Sequence, residues 1–148
     1  MDEGLRRRAT LYIVDNDRIL LISRKRNGRF FYVIPGGGVE PNESWDEAAV
    51  REAREETSLI VELGPILKEG FWQMFDTAQQ ERAYLVTNFE GVPQLNDAEM
   101  LARQTDYNQY ALAWLPLDKF AEVECYPPKV NTAVILQALD KSDNSTKI

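Results

Sequence analysis

Residues 37–59 read GGVEPNESWDEAAVREAREETSL. Ser44 is followed three residues later by Glu47, the pattern of a capping box. Asp46 and Glu47 then fall in a first helical turn, where the dipole favours negative charge. From Trp45 to Thr57 there is neither Gly nor Pro, so a helix is predicted through this run, beginning near Asn42 to Ser44. Ala49, Val50, Ala53 and Thr57 gather on one side and are expected to pack on a sheet. At about 100° per residue, Glu52, Glu55 and Glu56 fall within an arc of roughly 100°. Ala48 lies one turn earlier on that face and leaves it open. Like charges four residues apart, as at Glu52 and Glu56, destabilise a helix by about 0.2–0.5 kcal/mol. Glu47–Arg51 and Arg51–Glu55 read as ordinary surface ion pairs, but they leave Glu52 and Glu56 with no cation between them. A divalent ion would supply one. The upstream run PGGG (35–38) is expected to be irregular, and glycine there lets a backbone carbonyl approach closely.

Composition narrows the chemistry to the same kind of ion. The 148 residues contain no histidine and one cysteine, Cys125. Imidazole sites, Ser-His-Asp triads, Cys-His pairs, thiolate clusters and internal disulfides are therefore excluded. What remains is oxygen chemistry, suited to Mg²⁺ or Mn²⁺. Cys125 reads as a small apolar filler. A net charge of −7 argues against a nucleic-acid polymer as partner, and a phosphorylated small molecule would need a cation to mask repulsion. Hydrophobic residues make up 44%, enough for one core, so a single domain over 1–148 is expected. The start MDEGLRRRAT lacks the apolar segment of a signal peptide, and no run approaches a membrane span. A cytoplasmic protein with no membrane contact is the expectation.

Outward from the helix the chain is rich in strands. RATLYIV (8–14) and ILLI (19–22) flank the turn DNDR as a hairpin. SRKRNGR (23–29) reads as a basic loop and FFYVI (30–34) as a short strand. LIVELG (59–64), ILKEGFWQMF (66–75), RAYLVTNFEG (82–91) and YALAWLPL (110–117) read as further strands, with DTAQQE (76–81) as a polar separator. Residues 94–109 read as a long loop with one helical turn. PPKVNTAVILQALD (127–140) reads as a terminal helix, and 141–148 as a frayed tail. An α/β layered sandwich follows.

The quoted stretch resembles the Nudix box of the Nudix hydrolases, of the MutT-like kind. Its pattern is Gly, five residues, Glu, seven residues, Arg-Glu, an aliphatic residue, any residue, Glu-Glu, any residue, Gly, aliphatic. Gly37, Glu43, Arg51, Glu52, Ala53, Glu55, Glu56 and Leu59 match it. The Pro-Gly-Gly before the box and WLPLDKF (114–120) also resemble the family. Ser58 departs from it, standing where the family has glycine. In a left-handed helix stop, serine costs on the order of 1 kcal/mol.

The resemblance implies an α/β/α sandwich around a curled mixed sheet. It implies metal-dependent hydrolysis of the pyrophosphate link in a nucleoside diphosphate derivative, a small-molecule substrate. Carried over by position, Glu52, Glu55, Glu56 and the Gly36 carbonyl would hold Mg²⁺ or Mn²⁺. Glu52 would also be the base, Arg51 would hold the glutamates, and Glu43 would brace the loop or add an outer ligand. Family members often supply another acid from a late loop. Glu99 is favoured here, with Asp97 and Asp106 as alternatives. Family members also often dimerise, which leaves a homodimer open. A nucleotide sensor without turnover is the rival reading, but such domains usually lose box carboxylates that this chain keeps.

Arg24 and Arg26, with Lys25, form a basic cluster placed to meet substrate phosphates. Among Phe30, Phe31 and Tyr32, alternation allows either Phe30 and Tyr32 or Phe31 alone to reach a nucleobase; Tyr32 is the candidate substrate contact. Trp72 and Phe75 are expected in the core, and Tyr107 is a candidate lid residue. The markers of the family's NADH, ADP-sugar and coenzyme A subgroups are absent. A nucleoside triphosphate or a small nucleotide-linked compound remains.

Overall fold

The computed structural model describes residues 5–74 and 77–146. Strands β1 (Leu5–Asp15) and β2 (Arg18–Arg26) form the first hairpin, closed by Asn16 and Asp17 at φ 51° and 59°. Positive φ at both turn residues matches the twist of the flanking strands. The run 23–26, expected as loop, is instead the end of β2. Asn27-Gly28, at φ 50° and 80°, makes the turn into β3 (Arg29–Val33). An Asn-Gly pair is a strong hairpin signal, and the surrounding basic residues obscured it.

The triple glycine is also regular, contrary to expectation. Gly36–Gly38 form β4, antiparallel to β1, with Arg8 opposite Gly38, Ala9 opposite Gly37 and Thr10 opposite Gly36. Only glycine fits here: a Cβ on Gly36 would lie 2.3 Å from the Ala9 carbonyl oxygen.

Helix α1 (Trp45–Thr57) carries its capping box as expected. The chain then runs through β5 (Ile60–Glu62), β6 (Ile66–Met74), β7 (Thr77–Val86) and β8 (Asn88–Glu90). It continues through α2 (Ala98–Ala102), β9 (Asn108–Pro116), α3 (Leu117–Phe120), β10 (Cys125–Tyr126) and α4 (Thr132–Thr146). Several boundaries differ from expectation, the strand read over 110–117 among them, which runs from Asn108 to Pro116. β7 already begins at Thr77, within the polar run read as a separator. The stretch 82–91 divides at Thr87 into β7 and β8. The last helix starts at Thr132 rather than at Pro127, and continues past Asp140 to Thr146.

The main sheet runs β10-β3-β2-β1-β7-β6, with β4 also on β1 and β9 also on β2; β5 and β8 pair separately. β1–β7 and β10–β3 are parallel and the other pairs antiparallel, so the sheet is mixed.

Strand alternation divides the apolar residues between two cores. Ala9, Leu11 and Ile13 of β1, Leu20 of β2, and Tyr84 and Val86 of β7 pack with Ala48, Ala49 and Ala53 of α1. Tyr12 and Val14, Ile19 and Leu21, and Ala83 and Leu85 face the other way, onto Phe120 of α3 and Ile135 of α4. Helices therefore cover both faces. Val50, expected on the packed side of α1, is 39% exposed, and Ala48 takes its place. Trp72 is half-buried; Phe75 lies outside the described residues.

Candidate active site

The site is built where α1 passes the glycine strand. Ser44 Oγ accepts the Glu47 N–H at 3.0 Å, and Glu47 Oε1 accepts the Ser44 N–H at 2.9 Å. Glu47 is thereby used as a cap rather than as the expected partner of Arg51. Downstream, the buried alanines hold α1 close to the sheet and bring its acidic face against β4.

Glu56 is 5% exposed, and its Oε1 accepts the Gly36 N–H at 2.6 Å. Burial pushes its carboxyl up to about 8. The Arg8 charge and the Gly36 N–H pull the other way, while Glu52 and Asp97 add to the rise. Glu52 lies against Gly37, where a Cβ would sit 2.3 Å from its carboxyl carbon. Burial raises its pKa as well, opposed mainly by Arg51.

Arg51 organises the exposed edge of this face. Its Nε and Nη2 donate to the two Glu43 oxygens at 2.7 and 2.9 Å. Nη1 donates to Glu52 at 2.9 Å and Glu55 at 3.2 Å, and Nη2 also donates to the Gly38 carbonyl at 2.8 Å. The guanidinium holds the Glu43 carboxyl down at about 2.

Glu52, Glu55, Glu56 and the Gly36 carbonyl offer the hard oxygen donors that Mg²⁺ or Mn²⁺ takes. Glu56 and Glu52, withdrawn from water with raised pKa values, are the groups that a bound cation would favour as ions. In donor chemistry the residues fit a divalent ion. In arrangement, Glu52 and Glu55 are turned to Arg51, and no three acidic side chains among the described residues are gathered as a metal cluster.

The late loop docks on the C-terminal end of α1. Gln94 N–H donates to Thr57 O at 2.9 Å, Asn96 N–H to Glu56 O at 3.4 Å, and Ser58 Oγ to Gln94 O at 3.0 Å. This brings in Asp97, whose charge reaches Glu56 and whose Oδ1 caps α2 on the Met100 N–H at 3.0 Å. Glu99, favoured from the sequence, has a side chain 82% exposed and lies 3.9 Å from Arg103. Asp106 is exposed in the turn before β9.

Arg24 points to the same side of β2 as Leu20, the α1 side. Its Nη2 donates to Asn108 Oδ1 at 2.9 Å, and its guanidinium lies 4.2 Å from the Tyr110 ring centroid and 5.5 Å from that of Phe31. With Arg26, Arg103 and Tyr107 it lines a basic cleft. Tyr32 is on the opposite face, packed on the second core and edge-on to Phe30 with centroids 5.1 Å apart. Of the two aromatic alternatives, Phe31 is therefore the one that shares a face with Arg24.

One residue escaped the sequence reading. Arg8 donates to the Ile34 carbonyl at 2.7 Å, and its charge favours the ionised forms of Glu56 and Glu52. It is the last of three consecutive arginines, and only the β1–β4 register distinguishes it.

A family model described as NUDIX domain matches residues 4–132. The chain belongs to the NUDIX family. Diphosphoinositol polyphosphate phosphohydrolase 3-alpha of Mus musculus is 29% identical over 130 residues, covering 85% of this Nudix chain and 74% of that protein. Diphosphoinositol polyphosphate phosphohydrolase 2 of Homo sapiens is 28% identical over 130 residues, covering 85% and 67%. The MutT NUDIX hydrolase from Burkholderia pseudomallei superposes with a TM-score of 0.61 at 27% identity, covering 92% of this chain and 96% of that one. The E. coli ORF135 protein shares the fold, with a TM-score of 0.67 at 22% identity over 97% of this chain and 94% of that one. The architecture is the Nudix α/β/α sandwich around a curled mixed sheet, and the protein is a Nudix hydrolase. No helix among the described residues is long and apolar enough to cross a membrane.

Proposed function

We propose that this Nudix hydrolase cleaves the pyrophosphate link of a nucleoside diphosphate derivative, nucleoside triphosphates included. Glu52, Glu55, Glu56 and the Gly36 carbonyl would hold Mg²⁺ or Mn²⁺. The observation that carries the reading is Glu56: a carboxylate 5% exposed, aimed at the glycine strand by the Gly36 N–H, beside the half-buried Glu52. Carboxylates held out of water are costly as ions, and a divalent cation offsets that cost.

When bound, such a cation polarises phosphate oxygens and lowers the pKa of a bound water. Glu52 takes the proton of the attacking water, and burial, by raising its pKa, makes it a stronger proton acceptor than an exposed carboxylate. An oxygen–phosphorus bond forms from the water, the bridging oxygen–phosphorus bond breaks, and two phosphorylated products leave. Arg51 orients Glu52 through their 2.9 Å bond and is itself fixed by Glu43. Asp97, rather than the exposed Glu99, is the late-loop acid placed to act with Glu56. Arg24 and Arg26 face the anionic substrate from the basic cleft, with Phe31 in place of Tyr32 as the aromatic contact.

The relatives named as diphosphoinositol polyphosphate phosphohydrolases favour a second substrate, a pyrophosphate on a phosphorylated cyclitol. The same chemistry applies, with the arginines meeting further phosphates.

One experiment tests the ligand set and ranks the substrates. Wild type and Glu56→Gln are assayed on nucleoside triphosphates, nucleoside diphosphate derivatives and diphosphoinositol polyphosphates across a Mg²⁺ titration. The variant is expected to lose at least ~10-fold in turnover and to need more Mg²⁺ for half its activity. Turnover near wild type with an unchanged Mg²⁺ requirement contradicts the assignment.

A further inference from the structure

We propose that Glu81 is a positioning residue for the glycine strand and, through it, for Gly36 and Glu56. The catalytic consequence rests on the function proposed above.

Glu81 lies on β7, remote in sequence from the glutamate helix, yet its side chain is wholly buried. Charges are rarely buried without partners, and a buried pair has to be well satisfied to be tolerated. Glu81 has two partners. Thr10 Oγ1 donates to its Oε2 at 2.7 Å, and Lys68 Nζ lies 3.2 Å from its Oε1. Lys68 also donates to the Pro128 carbonyl at 3.1 Å, which ties β6 to the segment before α4.

The far side of the network leads to the site. Thr10 is the β1 residue directly opposite Gly36. Arg8 is opposite Gly38 on one side and opposite Glu81 on the other. Arg8 Nε donates to the same Thr10 hydroxyl at 3.2 Å, and its Nη2 donates to the Ile34 carbonyl at 2.7 Å. The hydroxyl therefore gives its one proton to Glu81 and accepts from Arg8. Glu81 sets the direction of that hydroxyl, the hydroxyl orients the guanidinium, and the guanidinium holds the Ile34 carbonyl. Two residues later, the Gly36 N–H meets Glu56.

β4 consists of three glycines, so it has no side chain with which to anchor itself. Its position has to be imposed by its neighbours. The Glu81–Thr10–Arg8 chain does this from the face opposite α1, while Glu56 does it from the α1 side. A buried ion pair with a purely structural role would stabilise the whole fold. A positioning pair would act locally on Gly36.

The test compares Thr10→Val, Thr10→Ser and Glu81→Gln in the full chain. Amide hydrogen exchange is read at Gly36 and, as a control for global opening, at the core residue Leu85, alongside kcat and KM at saturating Mg²⁺. Thr10→Val and Glu81→Gln are expected to speed Gly36 exchange at least ~10-fold more than Leu85 exchange. They are expected to lower kcat by about 10-fold with KM changed by less than about 3-fold. Thr10→Ser, which keeps the hydroxyl, is expected to behave as wild type. Gly36 exchange that is unchanged, or that rises only in step with Leu85, overturns the proposal; so does an unchanged kcat. Should Glu81→Gln fail to fold, the near-isosteric Thr10→Val decides. Wild type without Mg²⁺-dependent turnover would count against the proposed function, and the Gly36 exchange data would still decide the brace.

Discussion

Arg51 has five N–H donors, and the structure accounts for all of them: two to Glu43, one each to Glu52 and Glu55, and one to the Gly38 carbonyl. The bidentate pair with Glu43 fixes the guanidinium plane and leaves the other donors to orient the acidic face. Glu43 has a pH signature of its own. Arg51 holds its folded pKa at about 2, below the ordinary 4.5, so the stabilisation is present above 4.5 and is lost as pH falls toward 2. Glu43→Gln is therefore expected to cost about 1–2 kcal/mol near neutral pH. Its deficit against wild type should close between pH 4.5 and 2 in urea titrations; a constant deficit across that window contradicts this assignment. At this scale the acidic face was readable because helical spacing alone places Glu52, Glu55 and Glu56 together. Asp97 was not distinguishable from Glu99. The bonds that dock its loop, from Gln94 and Asn96 to the end of α1, run between backbone atoms, and those have no side-chain signature.

Ser58 decides how α1 stops. It sits at φ 67°, the left-handed conformation, and gives its N–H to the Arg54 carbonyl at 3.0 Å. The turn expected of glycine is thus made by serine, at on the order of 1 kcal/mol. Part of that cost is offset by the 3.0 Å bond from its hydroxyl to Gln94, which also anchors the late loop. Ser58→Gly exchanges the strain for the lost bond and is expected to change stability by less than about 1 kcal/mol. Ser58→Ala keeps the strain, loses the bond, and is expected to cost about 1 kcal/mol in thermal or urea melts. A Gly variant less stable than the Ala variant would contradict this account of the helix stop. The helix itself was legible, its start to within a few residues, because its capping box and unbroken run are local signals. β4 was not, because its regularity comes from pairing with β1 and its composition suggests only disorder of the backbone. The start of β7 was hidden likewise: Thr77, Gln79 and Gln80 are polar, and pairing with β6 makes them strand.

Across the whole molecule, the two-sided division of β1, β2 and β7 places α1 on one face and α3 and α4 on the other. The layered class was readable from strands outnumbering helices. The sheet order was not, since β7 pairs parallel with β1 from a distance that no local signal marks. That order sets β4 between the glutamate helix and the Arg8–Glu81 network. An acidic chain of net charge −7 then presents a basic cleft and an acidic helix face whose Glu56 is buried and Glu52 half-buried, an arrangement suited to an anion that arrives with a divalent cation. The most direct measurement is ³¹P NMR of the products formed from a nucleoside diphosphate derivative by wild-type protein in ¹⁸O-labelled water with Mg²⁺. Cleavage that requires Mg²⁺, with ¹⁸O in one of the two phosphorylated products, is the predicted result. An intact substrate in Mg²⁺ and in Mn²⁺, or cleavage without ¹⁸O on phosphorus, would contradict the account.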